Sequence, residues 1–360
     1  MGRERVVIAM SGGVDSSTAA ALLKSQGYDV IGITMQLWDY AQSQPEKFGT
    51  CCSLEDIGDA RRVAESIGIP FYVVNLQEEF YKEVVEYFIA SYLNARTPNP
   101  CILCNVRLKY HYLLRIARQL GACKVATGHY ARLQWDDVSG RHLLCRGMDR
   151  SKDQSYFLFA LSQEQLSAAL FPLGGYAKKE VRELSHTMGL RVADKRDSQE
   201  ICFIPDRDYT RFIMDSGPND SFSPGCIVNK RGEVLGHHKG LPFYTVGQRK
   251  GLGIAIGSPL YVTGLDVTKN LLIVGEEREV KANKLWADDI NWIIKPPQIG
   301  DKLEANVQIR YRHPGNRATI EVVSSQRVEI TFSEPQWAIT PGQAAVFYED
   351  DILLGGGWIN

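Results

Sequence analysis

Two groups of residues in this chain have types and spacings suited to chemistry. The first is Ser11-Gly12-Gly13-Val14-Asp15-Ser16-Ser17, which follows the apolar run Val6-Val7-Ile8-Ala9-Met10 and precedes a helix-forming stretch from Thr18 to Ser25. The glycines let backbone N–H groups turn toward a phosphate, Ser11, Ser16 and Ser17 add hydroxyl donors, and the helix presents its positive end. The Gly-Lys-Ser/Thr ending of the common kinase and GTPase loop is missing, which disfavours that class. The second group is thiols. Arg96-Thr97-Pro98-Asn99-Pro100-Cys101-Ile102-Leu103-Cys104-Asn105 sets a Cys-x-x-Cys pair behind two prolines, and a helix starting near Asn105 would put Cys104 at its N-terminus, where a thiolate is favoured. Cys202, in Asp197-Ser198-Gln199-Glu200-Ile201-Cys202-Phe203, sits between bulky apolar residues and by itself reads as a core thiol. Cys123, Cys145 and Cys226 read the same way, as do Cys51 and Cys52, although that doublet stands in a polar loop where it could also react.

These residues need a scaffold. Candidate strands at 6–10, 30–35, 71–76 and 124–127 alternate with helical patterns near 16–26, 55–67, 78–93 and 105–120, the mark of an α/β, doubly wound parallel sheet. Ligands in such sheets bind beyond the carboxyl ends of the strands, where the Ser-Gly-Gly loop, Met35 and Gly128-His129 all fall. A hairpin at 131–146 and helices at 155–170 and 178–188 complete this half. After Cys202, glycine and proline punctuate short alternating runs at 226–228, 260–262, 271–274, 305–310, 318–323 and 328–332. The expected domains are residues 1–205, catalytic; 206–275, small and β-rich; and 276–360, a β-barrel. Pro296-Pro297 and Ser333-Glu334-Pro335 are expected to break strands in the last.

Composition narrows the function classes. Lys plus Arg total 41 against 42 Asp plus Glu, so no global charge announces a nucleic acid and any RNA site must be a local basic patch. Arg310-Tyr311-Arg312-His313 is one, interleaving charge with an aromatic ring; Lys178-Lys179-Glu180-Val181-Arg182 reads as a charged helix face. The amino end lacks a signal-peptide apolar core and no apolar run approaches the about 20 residues of a membrane span, so the expectation is a cytoplasmic protein with no membrane partner. The 8 unevenly placed cysteines argue against a secreted disulfide framework.

The Ser-Gly-Gly-x-Asp-Ser pattern resembles the loop of the N-type ATP pyrophosphatases, which split ATP between its α- and β-phosphates and adenylate a carbonyl oxygen. That resemblance implies ATP with Mg2+ and places Asp15 at the metal. With it, Thr97-Pro98-Asn99-Pro100, Cys104-Asn105, Ala126-Thr127-Gly128-His129-Tyr130, Lys152-Asp153-Gln154-Ser155-Tyr156, Ser198 to Phe203, Gly247 to Gly253 and Pro341-Gly342-Gln343-Ala344 run in order along nearly the whole chain. Together they resemble the bacterial tRNA-specific 2-thiouridylase family (MnmA).

The resemblance implies an enzyme that replaces the C2 oxygen of the wobble uridine by sulfur in tRNAs for lysine, glutamate and glutamine. It assigns Ala9, Met10, Ser11, Gly12, Gly13, Val14, Asp15, Ser16, Met35 and Gly128 to ATP, and Asn99, Pro100 and Cys101 to the target base. It assigns His129, Lys152, Asp153, Gln154, Arg310, Tyr311 and Gln343 to tRNA. Cys202 would carry a persulfide delivered by a sulfur-relay protein or a cysteine desulfurase, and Cys104 would act as nucleophile upon it. Many members have Asp where this chain has Cys101. The set Cys101, Cys104 and Cys202 therefore also resembles the 4Fe-4S ligands of related tRNA thiolases, the rival route. Two other classes compete: another ATP-pyrophosphatase enzyme, such as an amidotransferase-type ligase, for which no glutaminase segment is recognisable, or a 4-thiouridine synthase, expected to carry different RNA-binding and sulfur-carrier modules; and a non-catalytic tRNA-binding protein, against which the intact phosphate loop argues.

Overall fold

The computed structural model describes residues 3–38, 54–196, 201–204, 206, 208–217, 222–254 and 258–360. Cys51, Cys52 and the Ser198-Gln199-Glu200 part of the distal cysteine motif lie outside the described residues.

A parallel sheet forms from Phe71–Asn75, Asp29–Gln36, Arg5–Ala9, Lys124–Ala126 and Ala169–Leu170, in that spatial order. Val6, Val7 and Ile8 of the middle strand are fully buried, the continuous apolar run that a sheet covered on both faces requires. The chain steps from Arg5–Ala9 to one side through Asp29–Gln36 and Phe71–Asn75, then returns to the other through Lys124–Ala126. Strand order therefore reverses between Arg5–Ala9 and Lys124–Ala126, and the turns leaving those two strands open onto the crevice where such folds bind ligands. Helix Val14–Ser25 is buried from Ser16 to Leu23 because it lies under two further helices, Leu54–Ile67 and Lys178–Thr187. The expected helix over 155–170 is instead a short 3-10 turn, Ser155–Leu158, a helix, Gln163–Ala168, and the fifth strand. Ser162 caps that helix with its side chain, which starts it anew.

Four strands form the central β-rich unit, in the order Tyr261–Asp266, Leu271–Gly275, Gly225–Val228 and Val234–His238, around buried Ile227, Val262, Leu272 and Val274. Beyond it, Lys281–Trp292, Arg327–Trp337, Asn316–Ser324, Lys302–Gln308, Ala344–Glu349 and Ile352–Ile359 pair antiparallel in that order. The first strand also pairs with the last, closing a barrel with no free edge. Ser333-Glu334-Pro335 does not end its strand. The register jumps from Ala282 opposite Gln336 to Lys284 opposite Thr331, so the residues around Pro335 bulge out of the ladder, where a missing N–H costs nothing.

The hairpin Ala131–Asp136 and Arg141–Arg146 joins the barrel as well as the α/β half. Cys145 pairs with Ile352, the Arg146 backbone N–H donates to the Asp351 carbonyl at 2.8 Å, and the Arg132 guanidinium reaches the Asp351 carboxylate at 2.5 Å. The barrel is thus fused to the α/β half by strand addition. Cys145 is a core thiol, as expected, and burial pushes its pKa up.

Candidate functional site

The loop after Arg5–Ala9 turns back through Gly12 at φ +72°, a conformation that favours glycine, and a Cβ there would stand 2.2 Å from the Asp56 carbonyl. The Ser11 N–H donates to Ser16 Oγ at 3.1 Å, and Ser16 Oγ donates to the Gly13 carbonyl at 3.3 Å. Gly13 precedes helix Val14–Ser25 with no side-chain cap, so the first N–H groups of that helix are left to an anion. Met35 is buried on the neighbouring strand, and Thr34 fastens the loop by donating to the Met10 carbonyl at 2.7 Å.

Asp15 is held from two sides. Lys178 Nζ donates to both its carboxylate oxygens, at 2.7 and 2.8 Å, and the Tyr130 hydroxyl donates to Oδ1 at 2.7 Å. The Lys178 side chain is only 11% exposed, so this residue is not the solvated helix face that its sequence neighbours suggest. Its backbone N–H donates to Asp149, which holds that carboxyl below its usual range. Magnesium commonly takes one or two protein carboxylates plus phosphate oxygens. Asp15 fits that use, provided Lys178 gives way.

The turn after Lys124–Ala126 closes on the loop. A Cβ on Gly128 would lie 2.8 Å from Ser16 N and 2.9 Å from the Asp15 carbonyl carbon, so only glycine allows this approach. Next to it, His129 Nδ1 lies 2.7 Å from Thr127 Oγ1, which is 3.1 Å from the buried Tyr110 hydroxyl; His129 Nε2 lies 3.5 Å from Lys109 Nζ. Burial and the Lys109 ammonium hold the imidazole well below the usual histidine range, so it is neutral at pH 7. A lysine can only donate, which assigns the ring proton to Nδ1.

Helix formation on the cysteine segment starts earlier than the expected Asn105. Asn99 is the N-cap, its side chain accepting from the Cys101 N–H at 3.3 Å, and Pro100 takes the first helical position, where its fixed φ is an advantage. Cys101 therefore occupies the helix end and is exposed; Cys104 lies a turn inside, partly buried. Pro100–Leu103 continues into Cys104–Tyr112, wound as a π-helix, a form that recurs at functional sites. Cys104 and Cys202 both pack on the same core cluster. Phe203 anchors the Cys202 segment among Trp38, Phe80, Phe88 and Phe212, at ring distances of 5.2–5.9 Å. No group of three or more His, Cys, Asp or Glu side chains among the described residues is assembled to hold a metal ion.

Several residues expected at tRNA turn inward. The Asp153 carboxylate accepts from the Gly147 and Ser155 N–H groups, the Ser155 hydroxyl and Arg146, all at 3.0–3.1 Å. Gln154 Oε1 accepts from the Tyr130 N–H at 3.1 Å. Arg310 donates to the Trp337 carbonyl at 3.0 Å, and the Tyr311 ring packs 4.3 Å from that of Phe157; the exposed basic residue of this run is Arg312. Gln343 Nε2 donates to the Thr97 carbonyl at 2.9 Å, so the barrel clamps the loop that leads to Asn99, Pro100 and Cys101. Sequence reading missed Lys109, Asn105, Tyr130 and Lys178. A lysine at an otherwise apolar helix position was the signal available for Lys178.

Three family models match the chain in series: a tRNA methyl transferase HUP domain over residues 4–206, a tRNA methyl transferase PRC-barrel domain over 212–276, and an aminomethyltransferase beta-barrel domain over 282–359. The chain is 55% identical to the tRNA-specific 2-thiouridylase MnmA of Geobacter metallireducens, over 99% of its own length and 97% of that protein's. It is 55% identical to the protein of that name from Geotalea uraniireducens, covering 99% and 95%, and 53% identical to that from Heliobacterium modesticaldum, covering 99% and 92%.

Proposed function

Since the chain belongs to the tRNA-specific 2-thiouridylase family, we propose that it is an ATP-dependent, cytoplasmic tRNA sulfurtransferase that thiolates C2 of the wobble uridine in tRNAs for lysine, glutamate and glutamine. The observation that carries this reading is the contact of Gly128 with Asp15 and Ser16. It joins a phosphate loop to the turn bearing His129, and through Lys109 to the helix bearing Cys104.

The C2 oxygen of uracil is a poor leaving group and must be activated. It attacks the α-phosphorus of ATP; the bond to pyrophosphate breaks with its electron pair, and N3 loses its proton. Loop N–H groups and the helix Val14–Ser25 N-terminus receive the phosphates, and Asp15 would hold a magnesium ion, which neutralises phosphate charge. Cys202 carries the persulfide brought by a sulfur-relay protein or a cysteine desulfurase. The Cys104 thiolate attacks its inner sulfur, leaving a Cys104–Cys202 disulfide and hydrosulfide. Hydrosulfide attacks C2, the C2–O bond breaks with its pair on AMP, and the hydrosulfide proton ends on N3 of the 2-thiouridine. A thiol reductant then reopens the disulfide. Asn99, Pro100 and Cys101 face the unstacked base, while Lys152, Arg310, Tyr311, Gln343 and their neighbours serve tRNA docking. Residues 1–205 catalyse, 206–275 support, and 276–360 bind RNA.

Mass spectrometry of digested tRNA after incubation with ATP, magnesium, a persulfide donor and reductant is the test. A 16-Da gain confined to the wobble uridine is expected for oxygen-to-sulfur exchange (roughly, from atomic masses); unmodified tRNA would refute the reading.

A further inference from the structure

We propose that Lys109 is a ligand of the nucleotide α-phosphate, aimed by Asn105 and His129 from the helix that carries Cys104. Lys109 is half-buried, and its ammonium contacts Asn105 Oδ1 at 2.8 Å and His129 Nε2 at 3.5 Å. Neither is anionic, and among the described residues Lys109 enters no ion pair. Lys178 and Lys195 show the contrast: the first is paired with Asp15, the second with Asp56 and Asp59. A partly desolvated ammonium without a counter-charge costs free energy that an arriving anion recovers.

Placement identifies the anion. Lys109 lies five residues after Cys104 in a stretch wound with i→i+5 hydrogen bonds, so it stands about one turn along from the thiol. On its other side it meets His129, next to the glycine packed on Asp15 and Ser16. Its ammonium thus bridges the thiol helix and the phosphate loop. Both of its partners are themselves pinned. Asn105 is 1% exposed and donates to the Phe157 carbonyl at 3.0 Å, and His129 is tied through Thr127 to Tyr110. Two neutral, fixed acceptors direct the cation without cancelling its charge.

This inference rests on the thiolation reading above. In that reaction the α-phosphate is the one group shared by ATP, the adenylated base and AMP. A cation there stabilises the crowded charge as the uracil oxygen attacks phosphorus, and again as the C2–O bond breaks and AMP takes its electron pair.

Stereochemistry at the α-phosphate supplies the test. Lys109→Gln and Lys109→Arg would be compared with the unaltered enzyme for tRNA-dependent pyrophosphate release from ATP and from the two diastereomers of ATPαS, alongside tRNA affinity and thermal midpoint. Lys109→Gln should lower release about 100-fold or more, as loss of a charge-stabilising donor does, with tRNA affinity near normal. The unaltered enzyme should prefer one diastereomer, and Lys109→Gln should lose most of that preference. Release within about threefold of normal, on the same logarithmic scale, or an unchanged diastereomer preference, overturns the assignment. If Lys109→Gln does not fold, Lys109→Arg decides: its displaced charge should alter the preference ratio, and an unaltered ratio overturns the assignment. Absence of tRNA-dependent release by the unaltered enzyme would instead sink the thiolation reading, and the assignment with it.

Discussion

Gln343 of the barrel and Thr97 of the cysteine loop are joined by a 2.9 Å hydrogen bond across 246 residues of sequence, and the Thr97 N–H answers with a 2.8 Å bond to the Pro341 carbonyl. The thiol-bearing segment is therefore held by a different domain from the one that contains it. Gln343→Ala should lower thiolation about tenfold, since misplacing a reacting group by an ångström costs rate steeply. Global stability should fall by only about 1 kcal/mol, the worth of one such bond. Parallel assays of pyrophosphate release and thiolation check this; both steps falling equally would mean that the clamp serves nucleotide binding instead.

Asp15→Ala removes the carboxylate that the largely buried Lys178 ammonium holds through both oxygens. We expect tRNA-dependent pyrophosphate release to disappear and tRNA affinity to stay within about threefold, because phosphate contacts of the RNA dominate its binding. Loss of this ion pair should cost about 1–3 kcal/mol, below the figure for a fully buried pair because Asp15 is itself 32% exposed. Normal pyrophosphate release would remove Asp15 from the nucleotide site.

Cys104→Ser and Cys202→Ser should each abolish 2-thiouridine formation while adenylation, measured as pyrophosphate release, continues. Cys101→Asp should leave thiolation within about threefold, an effect under 1 kcal/mol. Loss of activity in Cys101→Asp, with recovery of the unaltered enzyme only after iron reconstitution, would favour the rival 4Fe-4S route.

His129 is kept neutral by burial first and by Lys109 second. Its folded pKa lies below the ordinary value of about 6.5, so the unfolded chain takes up a proton that the folded one refuses as pH falls through that value. Stability is then full above about pH 6.5 and declines below it. His129→Gln should lose less stability between pH 7.5 and 5.5 than the unaltered protein, read from thermal midpoints at both pH values. An identical decline would mean that His129 protonates normally in the fold.

Much of this was legible in the sequence, for stated physical reasons. Buried parallel strands write continuous apolar runs, so the strands around Val6, Val30 and Val125 were evident, while the exposed edge strand Phe71–Asn75 showed in its aromatic and β-branched residues. The two-residue strand Ala169–Leu170 was not, because it is too short to carry a period and is preceded by a strong helix signal. Strands Lys281–Trp292 and Ile352–Ile359 were also missed. The first is interrupted by a register shift near Asp289, and the second is weakened by three consecutive glycines. The start of the cysteine helix was misplaced because Pro100 was read as an extended entry when it is the first helical residue. Lys109 was invisible as a site residue, since a lysine's partners are set by tertiary packing, and Lys178 offered only its place on an otherwise apolar helix stripe.

The pairing of Cys145 with Ile352 also bears on how the molecule is made. A ribosome that has just delivered Cys145 must add roughly two hundred residues before Ile352 emerges, about 10–40 s at common elongation rates. Through that interval the Arg141–Arg146 strand waits with an unanswered edge, and the Thr97 carbonyl waits for Gln343. A nascent chain therefore holds a formed phosphate loop well before it holds a finished thiol loop. Any factor that shields an open strand edge would act on this polypeptide during that window.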